Sequence, residues 1–137
     1  MALKFIQQDA TTLREAFAER KREYDSLRAA GNWSGAILHA GILLEVALKL
    51  AICRHLKVSK LPTIFQVHDL ELLFYCSGQQ NALETNSILQ DNFGFILENW
   101  SMVLRYEGVK SQTEADLVDY ALFSIPNGVL TFLTPYF

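Results

Sequence analysis

Apolar residues along this chain recur at intervals of three and four, and the strict alternation of a half-buried strand is almost absent. The pattern therefore predicts helices. The first starts near Thr12, where "TLRE" offers a capping box with Glu15, and runs through Leu13, Phe17, Tyr24 and Leu27 to a stop at Gly31. Its other face, "ERKRE", mixes charge signs closely, as a solvated surface does. A second helix opens at "GNWS", with Asn32 or Ser34 as cap, and reaches about Leu56. It is apolar nearly all round, which places it at the centre of a bundle or in an interface. "KVSKLPTIFQV" reads as a loop, because Pro62 pushes Leu61 toward an extended conformation. A short helix follows in "HDLELLFYCSG", with Asp69 at its electropositive end and Gly78 as its stop. Helical spacing returns over residues 83–106, with a weak point at "QDNFG" and an end at Gly108. The last helix opens on a second capping box, Ser111 with Glu114, and continues through Leu117, Tyr120 and Ala121 toward Phe132, with a kink or restart at Pro126. Four main helices and a short one predict an all-α fold in a single domain over residues 1–137: an up-and-down four-helix bundle with an additional short helix.

Composition narrows the setting. The chain has 137 residues, half of them hydrophobic and a fifth charged, enough to bury one core but not two. Nine Phe, five Tyr and two Trp are generous for that size, and part of that surface is expected between subunits. The longest apolar run, "SGAILHAGILLEVALKLAIC", carries His39, Glu45 and Lys49, charges that a bilayer centre disfavours, so it reads as a buried helix and no membrane partner is expected. "MALKFIQQDA" lacks an apolar export segment, and Cys53 and Cys76 sit far apart on apolar stretches as reduced core thiols. A cytoplasmic location follows as the expectation.

The net charge of −3 is unevenly spread. Residues 1–60 hold ten of the twelve Lys and Arg against six acids, whereas residues 61–137 hold two bases against nine acids. A basic face for nucleic acid is one outcome. Mutual neutralisation of the halves, within a chain or between two copies, is the favoured one.

Common chemistries find no support. There is no glycine-rich phosphate loop, no pair of histidines at metal-binding spacing and no nucleophile elbow. No cofactor and no metal are expected. His39, on an apolar helix, reads as a hydrogen-bonded core histidine, and His68 as a polar side chain beside a helix start. Glu45 and Lys49 lie one turn apart in the favourable order.

Three stretches, taken in order, resemble the HEPN superfamily (higher eukaryotes and prokaryotes nucleotide-binding domain). They are "HAGILLEVALKLAI", with a glutamate four residues before a lysine; "LPTIFQVHDLELLFYCSG", with His-Asp-Leu entering a short helix before a glycine; and "W-x4-RY", Trp100 to Tyr106, ahead of a final helix. The resemblance implies a helical bundle that dimerises, in the company of nucleotidyltransferase partners, toxin–antitoxin pairs or phage defence. Catalytic members of that family are metal-independent ribonucleases carrying an arginine followed four to six residues later by histidine.

That pairing has a chemical reason. Metal-free cleavage of RNA moves a proton, which histidine does near neutral pH, and gathers charge on phosphate, which arginine's donors stabilise. At the required interval after Arg105 stand Lys110, Ser111 and Gln112, and no other arginine has a histidine so placed. Arg105 is left to pair with Glu107, Glu98 or Glu45, to contact a phosphate or partner, or to meet His68 through folding. The expected function is a non-catalytic HEPN-like binding and dimerisation module, with a nucleotidyltransferase as a candidate partner. A divergent ribonuclease toxin and a nucleotide-binding bundle are the alternatives. The candidate ligand- or partner-binding residues are Glu45, Lys49, His68, Asp69, Arg105 and Tyr106.

Overall fold

A computed structural model describes residues 7–137; the leader-free reading of the first six residues lies outside them. Among the described residues the protein is all-α, with seven α-helices, no strand and 74% helix. The helices are α1 (Ala10–Ala29), α2 (Trp33–Leu56), α3 (Leu70–Tyr75), α4 (Gln80–Thr85), α5 (Ser87–Asn99), α6 (Gln112–Phe123) and α7 (Val129–Leu133). Short 3-10 turns occupy Thr63–Phe65, Met102–Tyr106 and Thr134–Tyr136.

α2 is the organising element. Its apolar circumference is covered by α1, α3, α6 and α7, so that nearly every side chain from Ala36 to Cys53 is buried. It is long and apolar enough to cross a membrane by composition, yet most of that length is enclosed by the chain's own helices. α5 packs on α4, α6 and α7 and closes the other side. Part of the aromatic surplus packs inside: Phe17 meets Phe137 and Phe74 meets Phe93, with ring centroids 5.0 and 4.8 Å apart, while Tyr75, Tyr106, Tyr120 and Tyr136 are exposed. The burial that pushes the Cys53 thiol up, with a smaller push from Asp9, holds it protonated and inert.

Several local signals act as read. Ser111 and Glu114 form the reciprocal capping box of α6. The Asp69 carboxylate accepts the Leu72 N–H at the start of α3. Gly31 takes a left-handed φ of 74° after α1, and the Asn32 N–H returns to the Leu27 carbonyl, closing a Schellman turn. Other expectations are corrected. α1 begins at Ala10 because Asp9, not Thr12, caps it, its carboxylate accepting the Thr11 N–H at 2.7 Å. No bond joins Thr12 to Glu15. The stretch over 83–106 is not one helix broken at "QDNFG": α5 runs straight through that segment, and the break falls at Asn86, whose side chain accepts the Leu89 N–H. α5 then stops at Asn99, and Trp100 and Ser101 are extended. α6 ends before the Ile125–Pro126 bond, which is cis, and α7 restarts after it.

The charged halves meet mainly between α1 and α6. Arg28 donates to Asp116 at 2.8 Å and lies 3.7 Å from Asp119, while the Tyr24 hydroxyl donates to Asp119 at 2.6 Å. Burial and this acceptor push the Tyr24 phenol well above its ordinary value. Three further cations of α1 pair with acids of the same helix: Arg20 with Glu23, Lys21 with Asp25 and Arg22 with Glu19.

Candidate functional site

The six candidate residues separate into two places. Glu45 and Lys49 stand one turn apart on the face of α2 that meets α3, and both are buried, at 8% and 3% exposure. Lys49 Nζ donates to Glu45 Oε2 at 3.2 Å. The other carboxylate oxygen, Oε1, accepts from His68 Nδ1 at 2.7 Å across 23 residues of sequence. The Pro62 loop and the Asp69 cap set the entry to α3 and bring His68 over the pair. Asp69 itself is occupied as that cap.

The physical consequence is a buried carboxylate with two partners. A lysine and a glutamate out of water are costly unless each is answered. Glu45 is answered twice, and the second partner is an imidazole whose side chain remains 64% exposed. His68 thus commits Nδ1 to the buried carboxylate while most of its side chain remains in solvent. Glu45 and Lys49 are buried charges, and the exposed imidazole of His68 is what covers them.

The second place is the connection from α5 to α6. Trp100 lies flat on the backbone of α2: a Cβ at Gly41 would fall 1.9 Å from its ring, so only glycine allows the approach. The Trp100 Nε1–H donates to the Leu38 carbonyl at 3.0 Å. At the far end the Lys110 N–H donates to Ser34 Oγ at 2.8 Å. Ser34 thus holds this strap rather than capping α2, and the cap position falls to Asn32, whose side chain makes no capping bond. Between the two anchors the chain turns outward and displays Val103, Tyr106 at 80% and Val109 at 97% exposure.

Arg105 sits on that strap. Its Nε donates to the Met102 carbonyl at 3.2 Å, and its guanidinium lies 5.3 Å from the centre of the Tyr106 ring. The expected ion pairs with Glu107, Glu98 or Glu45 do not form. Glu107 takes Lys110 instead, at 3.3 Å, and Glu45 takes Lys49 and His68.

All three histidines have other surroundings. His39 places Nδ1 at 3.1 Å from the Gly35 carbonyl and Nε2 at 3.0 Å from Glu23, hydrogen-bonded as expected but at the partly exposed edge of α2 rather than in the core. His55 packs its ring against Gly78, where a Cβ would meet Nδ1 at 2.5 Å. His68 is held by Glu45. Among the described residues no group of three or more His, Cys, Asp and Glu side chains converges as a metal site.

Sequence reasoning missed the anchors Ser34, Gly41 and Lys110. One signal was available: a glycine inside an otherwise apolar helix marks a close approach by another group. No family model, no curated protein and no solved structure matches the chain.

Proposed function

We propose that this chain is a non-catalytic binding module of HEPN-like type, a four-helix bundle with an added short helix that works by associating with a second copy of itself and with a protein partner. The observation that carries the reading is the company kept by Arg105. A metal-free ribonuclease needs an imidazole beside the arginine that meets phosphate. Here that arginine stands on a solvent-facing strap with a tyrosine as its neighbour, and each histidine is engaged elsewhere.

The same strap supports an associating role. α2 and the aromatic C-terminus are spent in the chain's own core, since Val129, Leu130 and Leu133 are buried and Phe137 packs on Phe17. Among the exposed apolar side chains, Val103, Tyr106 and Val109 gather on one short strap, flanked by Arg105, and tyrosine and arginine are residue types that carry binding energy at interfaces. A nucleotidyltransferase-type or toxin–antitoxin partner belongs to this proposal through the sequence resemblance alone, and a cytoplasmic setting through the reading of the two cysteines and the N-terminal stretch.

Incubation of the purified protein with RNA, beside an Arg105→Ala control, tests the absence of catalysis. No cleavage above background is expected from either; cleavage abolished by the substitution would establish the ribonuclease reading instead. Hydrodynamic mass tests association: twice the 15.5 kDa chain is expected at micromolar concentration, and a monomer would remove the dimer from the proposal.

A further inference from the structure

A hollow of about 540 Å³ opens away from both places, between the C-terminal end of α2, the Thr63–Phe65 turn, the end of α3 and the start of α4. That is within the size range of small-ligand sites. Its apolar walls are Leu56, Phe65 and the ring of Tyr75. Its floor is set by the His55–Gly78 contact, where the left-handed φ of 88° and the missing Cβ both demand glycine.

The polar groups in it restrict the chemistry. Cys76 and His55 share the hollow, yet no hydrogen bond joins the thiol to the imidazole, so the geometry is not that of an activated nucleophile. No metal-ligating group of three gathers there. The single formal charge in the lining is the Glu84 carboxylate. One of its oxygens accepts from Gln80 Nε2 at 3.0 Å, and no cation pairs with it. On the other side of Tyr75 a second hollow of about 140 Å³ shares Tyr75 and Glu84 and adds Glu71, a carboxylate with no cationic partner. An aromatic ring thus stands in a groove with uncompensated negative charge on both flanks and aliphatic surface beside it. Anions are repelled from such a groove; a positively charged head on an apolar stem satisfies the carboxylate, the ring face and the walls together.

We propose that the groove around Tyr75 and Glu84 binds an organic cation, an alkylammonium or alkylguanidinium group, distinct from the Glu45 pair and from the Arg105 strap. The same chemistry reaches a protein from two sources, a free amine or a basic side chain on a peptide, and the test separates them.

The experiment is a titration of the 15N-labelled protein, followed by amide shifts, with n-butylguanidinium, with the peptide acetyl-Ala-Arg-Ala-amide, and with butanoate as the anionic counterpart of the first. Saturable shifts confined to residues around 55–56, 65 and 75–84 are expected with the guanidinium. Equal affinity for both cations identifies a site for a free amine, and affinity about tenfold higher for the peptide identifies a peptide side chain as the source. Glu84→Gln, an exposed change, is expected to weaken the cation about tenfold, the loss of one charge-assisted hydrogen bond, with Glu98→Gln unchanged. Absence of saturable shifts with either cation, equal shifts with butanoate, or full affinity in Glu84→Gln would each overturn the assignment.

Discussion

The Glu45–Lys49 pair and the Arg105 strap are built in opposite ways. At the pair, the charges are inside and the contact with solvent is delegated to a neighbour, His68. At the strap, the fold places apolar and backbone anchors inside, Trp100 on Gly41 and Lys110 on Ser34, and leaves the charge outside with one backbone bond and an aromatic neighbour. Charged residues in the same helical chain thus answer to different demands. Glu45 and Lys49 are held because an unanswered buried ion is expensive, whereas nothing in the chain's own stability requires Arg105. A residue the fold does not need, displayed by anchors the fold does need, is the pattern of a surface kept for something other than folding.

The sharpest way to break that contrast is to remove an anchor. Trp100→Ala deletes a buried indole and the Leu38 bond, and a loss of about 3–5 kcal/mol in urea unfolding is expected. A loss below about 1 kcal/mol would mean that the strap is not seated on α2 as described. Next in size is Lys49→Met, which leaves Glu45 buried with only His68 to answer it, at a cost of about 3 kcal/mol. The double change Glu45→Leu with Lys49→Met removes both charges and is expected to restore most of that loss; if the double variant is as unstable as the single one, packing rather than charge explains the pair.

A smaller effect concerns the α1–α6 contact. The folded state holds the Tyr24 phenol well above the ordinary value of 10.0, first through burial and then through its bond to Asp119. A pKa raised on folding means that the unfolded chain releases this proton first. Its contribution is therefore complete below about pH 10 and declines as pH rises beyond that, since there the unfolded state binds fewer protons than the native one. Tyr24→Phe should cost about 1 kcal/mol at neutral pH and flatten the alkaline loss of stability. An unchanged alkaline limb in the variant would assign the loss to other groups.

How much of this was legible in the sequence depended on the range of the interactions involved. Ser111 with Glu114, Asp69 with Leu72 and the stop at Gly31 are decided within one turn, and local patterns suffice for them. Asp9 displaced Thr12 as cap because residues beside it pair with a distant segment: the Ala10 N–H donates to the Ser59 carbonyl and the Leu61 N–H to Gln8, fixing where α1 can begin. Asn86 broke the long helical stretch because it also bonds Asn127, 41 residues on, while Gly94 in "QDNFG" faces open space and leaves α5 unbroken. At the candidate site the same division holds. The spacing of Glu45 and Lys49 was readable; the third partner, His68, and the outward turn of Arg105 were not, since each rests on contacts between elements far apart in the chain.

The smallest expected effect is the most telling. Arg105→Ala removes a half-kilocalorie-scale cation–π contact and one exposed backbone bond, so unfolding in urea should shift by less than about 0.5 kcal/mol. Association should respond differently. Arginine at the centre of a protein contact commonly carries about 2 kcal/mol or more, so a dimer closed through the strap would dissociate at a protein concentration more than tenfold higher in the variant. Equal stability with weakened self-association places the residue's work at the interface. Lost stability with unchanged association would make Arg105 a folding residue like Lys49, and the contrast between the two regions would disappear.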